Sequence, residues 1–336
     1  MQEAVITGTI DNWTPTSHLY LNNHPDSSSP FEGGPRGASI IEIPVSPDGS
    51  FSMRQPIERP TVATLNIKTP SNPSLPPDAT NGSNLSNSSN PSNPSSPSPL
   101  RLSLYLEADK TINVDLRHVQ SSSEGRPSGA SILPTFSGDT RAECEFVNDN
   151  TSIDPRHFDT FTAFKDSVDR FYADRLKRAQ AIGNPAFVDD YIAINDPISR
   201  NARLVNYISH DANLDSVETA YTDFINSLDF NDPVNEDALH QYLITYGRFV
   251  QRKNLGGSAT MPALEELTRR TSNQAMLDHI SSRLMYFFLM IDTPYVESVW
   301  AKYNTICKDK ALIDELRPRY NARSKELKKT KAQRPH

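Results

Sequence analysis

The chain has 336 residues, a formal net charge of −7 and a pI near 5.6, which is room for two compact domains, each with its own core. That balance offers no electrostatic footprint for nucleic acid, which normally needs a clustered basic face. No run of about 18 apolar residues is present, so no segment is expected to span a bilayer.

The opening MQEAVITGTI lacks a basic n-region and an apolar h-region. Either the protein is cytosolic or a secretory signal has been removed ahead of Gln2, and the second reading places it in the periplasm or cell envelope. Cys144 and Cys307 are the only cysteines, far apart and outside any C-x-x-C pair, so they form no disulfide framework.

Up to about residue 140, short β-branched segments alternate with turn residues, the pattern of an antiparallel β-sandwich, here assigned to residues 1–145. The strands expected are Val5–Ile10, His18–Leu21, Ile40–Val45, Ser50–Met53, Val62–Ile67, Leu100–Leu106, Thr111–Leu116 and Ile132–Phe136. In Leu100–Leu106 the four leucines face one way while Arg101, Ser103 and Tyr105 face the other, as a half-buried strand requires. Between Val45 and Phe51 the sequence SPDGS places Pro, Asp and Gly where a tight hairpin needs them. Residues 69–99 repeat Asn, Ser and Pro almost without apolar side chains. Such a stretch cannot offset its ordering entropy and reads as a disordered insertion within a hairpin. Ser121–Ser131 reads as a second loop of that kind.

After Phe146 the period changes from two to 3.6, which assigns residues 146–336 to an all-α domain. Asp154-Pro155 is the expected helix start. Phe158, Phe161, Phe164, Val168, Phe171, Tyr172 and Leu176 then form one apolar stripe. Further helices are expected near 186–209, 215–228, 235–252, 262–271, 273–290, 293–308 and 310–328, with Asp215-Ser216 and Asn235-Glu236-Asp237 as polar starts. Strands first and helices later mean an α+β chain with segregated domains.

Few residues suggest chemistry. The histidines, at 18, 24, 118, 157, 210, 240, 279 and 336, form no H-E-x-x-H or other close ligand pair. No G-x-S-x-G elbow is present, and Gly33-Gly34-Pro35-Arg36-Gly37 lacks the strand–loop–helix setting of a phosphate loop. In the acidic stretch Asp229, Asn231, Asp232, Asn235, Glu236, Asp237, Pro233 and Val234 stand where a calcium loop needs a ligand and a glycine, so it reads as a helix-start cluster. Asp189-Asp190 and Asp109-Lys110 read as a solvated helix face and a turn. Cys144, between Glu143 and Glu145, and Cys307, beside Lys308 and Lys310, read as structural thiols. Tyr286, Phe287, Phe288, Tyr295 and Trp300 read as core. The basic stretch Arg317, Arg319, Arg323, Lys325, Lys328, Lys329, Lys331 and Arg334 reads as a solvated helix end running into a tether, with a phosphate or membrane-surface contact as the alternative. No catalytic, cofactor-binding or metal residue is nominated, and no cofactor is implied.

Several pieces together, over roughly residues 4–230, resemble the front half of exported bacterial thioredoxin-like proteins, the TlpA/ResA-type thiol-disulfide oxidoreductases. Val5-Ile6-Thr7-Gly8-Thr9-Ile10 resembles their glycine-containing opening strand, and Pro47-Asp48-Gly49-Ser50-Phe51 is similar to their D-x-G-x-F hairpin. Leu104-Tyr105-Leu106-Glu107-Ala108-Asp109 with Ile112-Asn113-Val114 resembles the L-E-x-G-x-x-I-x-V strand pair, and Phe136-Ser137-Gly138 the closing segment. The stretch from Tyr207 to Ser216 resembles a joint between helices. Ala108 and the insertion at 69–99 depart from the pattern. That family continues into a thioredoxin domain with W-C-x-x-C, which has no counterpart among these residues, so the resemblance carries over no catalytic residue. It implies a noncatalytic accessory or interaction module whose partner is an unknown protein or a thioredoxin-like domain, and a homodimer stays open. Two other readings stand beside it: a glycan- or peptide-binding module using Trp13 or Tyr20, and an enzyme with distant carboxylates at an inter-domain cleft.

Overall fold

A computed structural model describes residues 2–14, 16–23, 39–68, 100–123, 126–149, 151, 153–208, 213–254, 257–290 and 294–333. The insertion at 69–99 and the glycine-rich 33–37 lie outside the described residues. The chain divides into two compact units, the first built from residues up to Thr151 together with Ala179–Tyr191, the second from Ile153–Arg178 and Ile192 onward.

In the first unit the strands are β1 (Glu3–Ile10), β2 (His18–Asn23), β3 (Ser39–Ile43), β4 (Ser50–Pro56), β5 (Thr61–Lys68), β6 (Leu100–Leu106), β7 (Thr111–Ser123) and β8 (Arg126–Gly138). They form two four-stranded sheets, ordered β4-β1-β7-β8 and β3-β2-β5-β6. Alternation buries Ala4, Ile6 and Ile10 of β1, Leu19 and Leu21 of β2, Ala63, Leu65 and Ile67 of β5, and Leu102, Leu104 and Leu106 of β6. One pair departs from the antiparallel expectation, because β1 and β7 run parallel with Gly8 opposite Val114. Parallel neighbours need a long crossover, and here the intervening strands supply it by moving to the other sheet and back.

Gly8 shows why that pair needs its glycine. It faces inward opposite Phe51 on β4, and a Cβ there would collide with the Val114 carbonyl oxygen and the Phe51 ring. The bare backbone lets the phenyl ring lie across β1. The SPDGS hairpin forms as its residues demand. Gly49 has φ +84°, the Asp48 carboxylate accepts from the Ser50 amide at 3.0 Å and the Ser50 hydroxyl at 2.7 Å, and Val45 bridges Phe51. The second loop expected at Ser121–Ser131 is instead a continuation of the β7–β8 ladder. Gln120 pairs with Ala130, Ser122 with Pro127 and Ser123 with Arg126, with a register shift at Gln120/Ser122. Ladder hydrogen bonds come from the backbone, so a polar hairpin can continue pairing once the register is set further down.

A short helix, α1 (Arg141–Val147), follows β8. The second unit's helices are α2 (Phe161–Ile182), which begins there, α3 (Ala193–Val205), α4 (Thr219–Ser227), α5 (Glu236–Lys253), α6 (Thr260–Arg270), α7 (Gln274–Met290), α8 (Val296–Ile306) and α9 (Lys310–Gln333). Asp154-Pro155 starts a separate 3-10 turn, Pro155–His157, with the Asp154 side chain capping Arg156. The helix itself begins at Phe161, where the Thr160 hydroxyl accepts from the Ala163 amide at 3.2 Å and the Glu218 carboxylate accepts from the Phe161 amide at 3.0 Å. Asp215-Ser216 likewise lies in a 3-10 turn, capped by Asn213, ahead of α4. Phe161, Phe164 and Val168 of the stripe are buried with Leu204, Leu239, Leu264, Ile280, Met285, Val299 and Tyr303 in one core, but Leu176 is exposed. The other correction concerns the late aromatics. Phe288 and Trp300 are core, whereas Phe287 and Tyr295 are exposed at 42% and 40%. Among the described residues, no helix is long and apolar enough to cross a membrane.

Candidate functional site

A polar constellation of the first unit gathers where α1 meets β6, the edge strand of its sheet. An uncovered edge strand offers unpaired backbone groups to other chains. Here side chains of α1 and its flanks stand in for a neighbouring strand. The Asn148 side chain accepts from the Ser103 amide at 3.0 Å and donates to the Ser103 carbonyl at 2.6 Å. Two residues on, Cys144 Sγ accepts from the Tyr105 amide at 3.3 Å and the Thr140 hydroxyl donates to the Tyr105 carbonyl at 3.2 Å. The spacing of Ser103 and Tyr105 matches the groups that point out of one strand edge, so α1 completes a ladder without being a strand.

Beside this edge lie two carboxylates. Asn184 Nδ2 donates to Glu107 at 2.9 Å and to Glu143, a buried residue, at 2.7 Å, and the Tyr105 hydroxyl donates to Glu107 at 3.3 Å. The Tyr105 ring is closed in by Phe187 at 4.9 Å and Tyr191 at 6.1 Å between centroids. Burial first, then the Glu107 charge, pushes the Tyr105 hydroxyl well above the usual tyrosine range. Cys144 is pushed up to about 12, chiefly by burial, with Glu143 and Glu145 adding smaller contributions in the same direction. The glutamates flanking it in sequence thus act as expected, but removal from water is the larger cause. Sequence order did not bring Glu107, Glu143 and Asn184 together, since they come from three separate segments.

The outer face of the β3-β2-β5-β6 sheet carries a second group. Tyr20 stands opposite Glu42 on β3 and Asn66 on β5, and its ring stacks on His18 at 6.0 Å. His18 Nδ1 lies 2.6 Å from the Glu42 carboxylate, both exposed. Tyr20 and Trp13 are half-buried. Burial and the Glu42 charge raise the Tyr20 hydroxyl.

In the second unit Cys307 is buried, within 3.7 Å of the Ser282 hydroxyl, which is 2.9 Å from the Tyr303 hydroxyl. Burial raises its thiol pKa despite those hydroxyls, which act the other way. The acidic stretch at Asp229–Asp237 spends its oxygens on turns, on the Ser272 amide and on the basic side chains of His279 and Arg283. Asp229 accepts from the Asn231 amide at 2.9 Å, Asp232 from the Val234 amide at 3.0 Å, and Asn231 Oδ1 from the Ser272 amide at 2.9 Å. Asn235 lies buried, accepting from Asn201 at 2.7 Å. Asp189-Asp190 is exposed in a π-helical turn, Phe187–Ile192, and Asp109 sits in a turn with φ +59°.

The described histidine side chains are dispersed, and those of His24, His118, His210 and His336 lie outside the described residues. His279 Nδ1 stands 3.6 Å from Glu236, whose hydrogen bond raises its pKa against the opposing effect of burial. His240, one turn along α5 from Glu236 and Asp237, is fully buried against Phe287, and neither ring nitrogen has a hydrogen-bond partner. Burial, then the nearby Arg283 charge, holds its pKa well below the ordinary 6.5. The two signs are therefore opposite. The share of stability tied to His279 is present below about pH 6.5 and lost as pH rises through its raised pKa. That tied to His240 is present above about pH 6.5 and lost as pH falls, because only the unfolded chain takes up the proton. His240→Leu removes two unpaired nitrogens at similar volume, so urea denaturation at pH 7 is expected to show unchanged or up to about 1 kcal/mol greater stability, with a flatter decline toward pH 5. A loss above about 2 kcal/mol with the slope retained would contradict the account.

Among the described residues no group of three or more His, Cys, Asp or Glu side chains is placed to hold a metal ion. Neither the family models nor the curated proteins include a match to this chain.

Proposed function

We propose that this chain is a noncatalytic interaction module of the cell envelope, of the kind that accompanies thioredoxin-like thiol-disulfide oxidoreductases. The observation that supports it most is the setting of the two thiols. Cys144 is buried and occupied with the Tyr105 backbone at a sheet edge, and Cys307 is buried among Ser282 and Tyr303. Burial shifts both pKa values upward, the opposite of what a nucleophilic thiolate needs. Thiol exchange then belongs to a partner domain, and these residues supply support or recognition.

In a thiol-labelling experiment the folded protein should react slowly at both cysteines and fast only after denaturation, and insulin reduction should not exceed the rate without protein. Reduction that disappears in Cys144→Ser or Cys307→Ser would overturn the proposal. A second reading, a module that binds a glycan or peptide on its sheet face, draws support from Tyr20, whose half-exposed ring stacks on His18 beside Glu42. An aromatic surface bordered by hydrogen-bonding groups suits either ligand.

A further inference from the structure

Charge is unevenly shared along this chain. Residues 310–336 hold nine Lys or Arg and three Asp or Glu, a net of +6, so the other 309 residues carry −13. Helix α9 buries Leu312 and Leu316 and packs Tyr320 and Leu327 against the helical core. Its other side exposes Arg317, Asn321, Lys325 and Lys329, a row at four-residue spacing that runs about 18 Å along the axis. Lys325 and Lys329 are like charges one turn apart, a spacing that weakens a helix. A local penalty kept on a surface that packs nothing points to a use for the charge.

The face is also shaped. Tyr320, Asn321, Ser324, Lys325, Lys328 and Lys329 line an open depression of about 650 Å³, and each of these polar groups can donate a hydrogen bond. Glu297 of α8 borders it, accepting from Ser324 at 3.3 Å and lying 3.6 Å from Lys328. Lys325 and Lys329 have no ion-pair partner among the described residues, which leaves two ammonium groups for an outside anion. The Tyr320 ring is stacked on Trp300 at 4.4 Å and 9°, which occupies one of the two faces on which a base of single-stranded nucleic acid could stack. The acidic remainder would repel a polyanion that wrapped past this one helix. The positive charge of the face is complementary to an anionic surface.

We propose that this face of α9 docks the protein peripherally on an anionic membrane surface, where Lys325 and Lys329 receive the phosphates of acidic lipid headgroups. It is independent of whether the module accompanies an oxidoreductase. The test is co-sedimentation of the full chain with phosphatidylcholine vesicles, with and without phosphatidylglycerol, at low and raised salt. Binding should require phosphatidylglycerol and weaken with salt. Each lysine near such a surface contributes about fivefold, so Lys325→Gln with Lys329→Gln should lower the partition coefficient roughly 25-fold. The pair Lys325→Arg and Lys329→Arg keeps the charge and should bind as the parent does. No preference for phosphatidylglycerol, a glutamine double variant within about twofold of the parent, or tighter binding to an RNA or DNA oligonucleotide than to the vesicles would overturn it.

Discussion

Phe164→Ala is expected to destabilise the helical unit by about 3–5 kcal/mol, the usual cost of emptying a fully buried aromatic site. Phe164 is 0% exposed and lies between Phe158 at 5.5 Å, edge to face, and Tyr207 at 5.3 Å, stacked. Tyr207 is not free to move in and fill the space. Tyr207 is held by the Glu218 carboxylate, to which its hydroxyl donates at 2.8 Å, and Glu218 in turn caps the first amide of α2. The cavity would therefore stay largely open. Urea denaturation followed by far-ultraviolet circular dichroism measures the loss, and a change below about 1 kcal/mol would show that the aromatic cluster collapses after all.

The second large effect concerns Glu266 on α6. Its side chain is 3% exposed and accepts from Arg270 Nε at 2.7 Å, Arg269 Nε at 2.8 Å and the Tyr242 hydroxyl at 3.3 Å. Burial, the largest single influence, would raise its pKa, but the hydrogen bonds and charges of Arg269 and Arg270 together outweigh it and hold the carboxyl below the ordinary 4.5. A carboxyl with a depressed folded pKa contributes stability that is full above its unfolded pKa and lost as pH falls through the folded value. Glu266→Ala leaves Arg270, itself only 16% exposed, without its counter-charge, and should cost about 3–5 kcal/mol at neutral pH. The gap between parent and variant should narrow once the pH drops below about 4.5. A constant gap across that range would mean that packing, and not charge, carries the loss.

Much of this architecture was legible before any coordinates. Leu100–Leu106 matches β6 at both ends, and the SPDGS turn forms with the glycine at positive φ. Phe161, Phe164 and Val168 point inward because a 3.6-residue period leaves them no other side to share. The helix starts were less legible. Asp154-Pro155 and Asp215-Ser216 carry cap chemistry, yet a single 3-10 turn uses the same cap as a long helix. Leu176, Phe287 and Tyr295 fit the apolar spacing and are exposed all the same, since periodicity names a face but does not say that a neighbour covers it.

What the sequence determined by itself was local: strand alternation, turn positions, helical stripes, the strands-then-helices order and the concentration of positive charge after Lys310. Each is written in the spacing of neighbouring residues. Tertiary structure decided the rest, including the parallel β1–β7 pair, the use of Cys144 and Asn148 to close the β6 edge, and the meeting of Glu107 and Glu143 on Asn184. These contacts join residues tens of positions apart. Their energies depend on burial and hydrogen-bond geometry, which only the folded chain supplies.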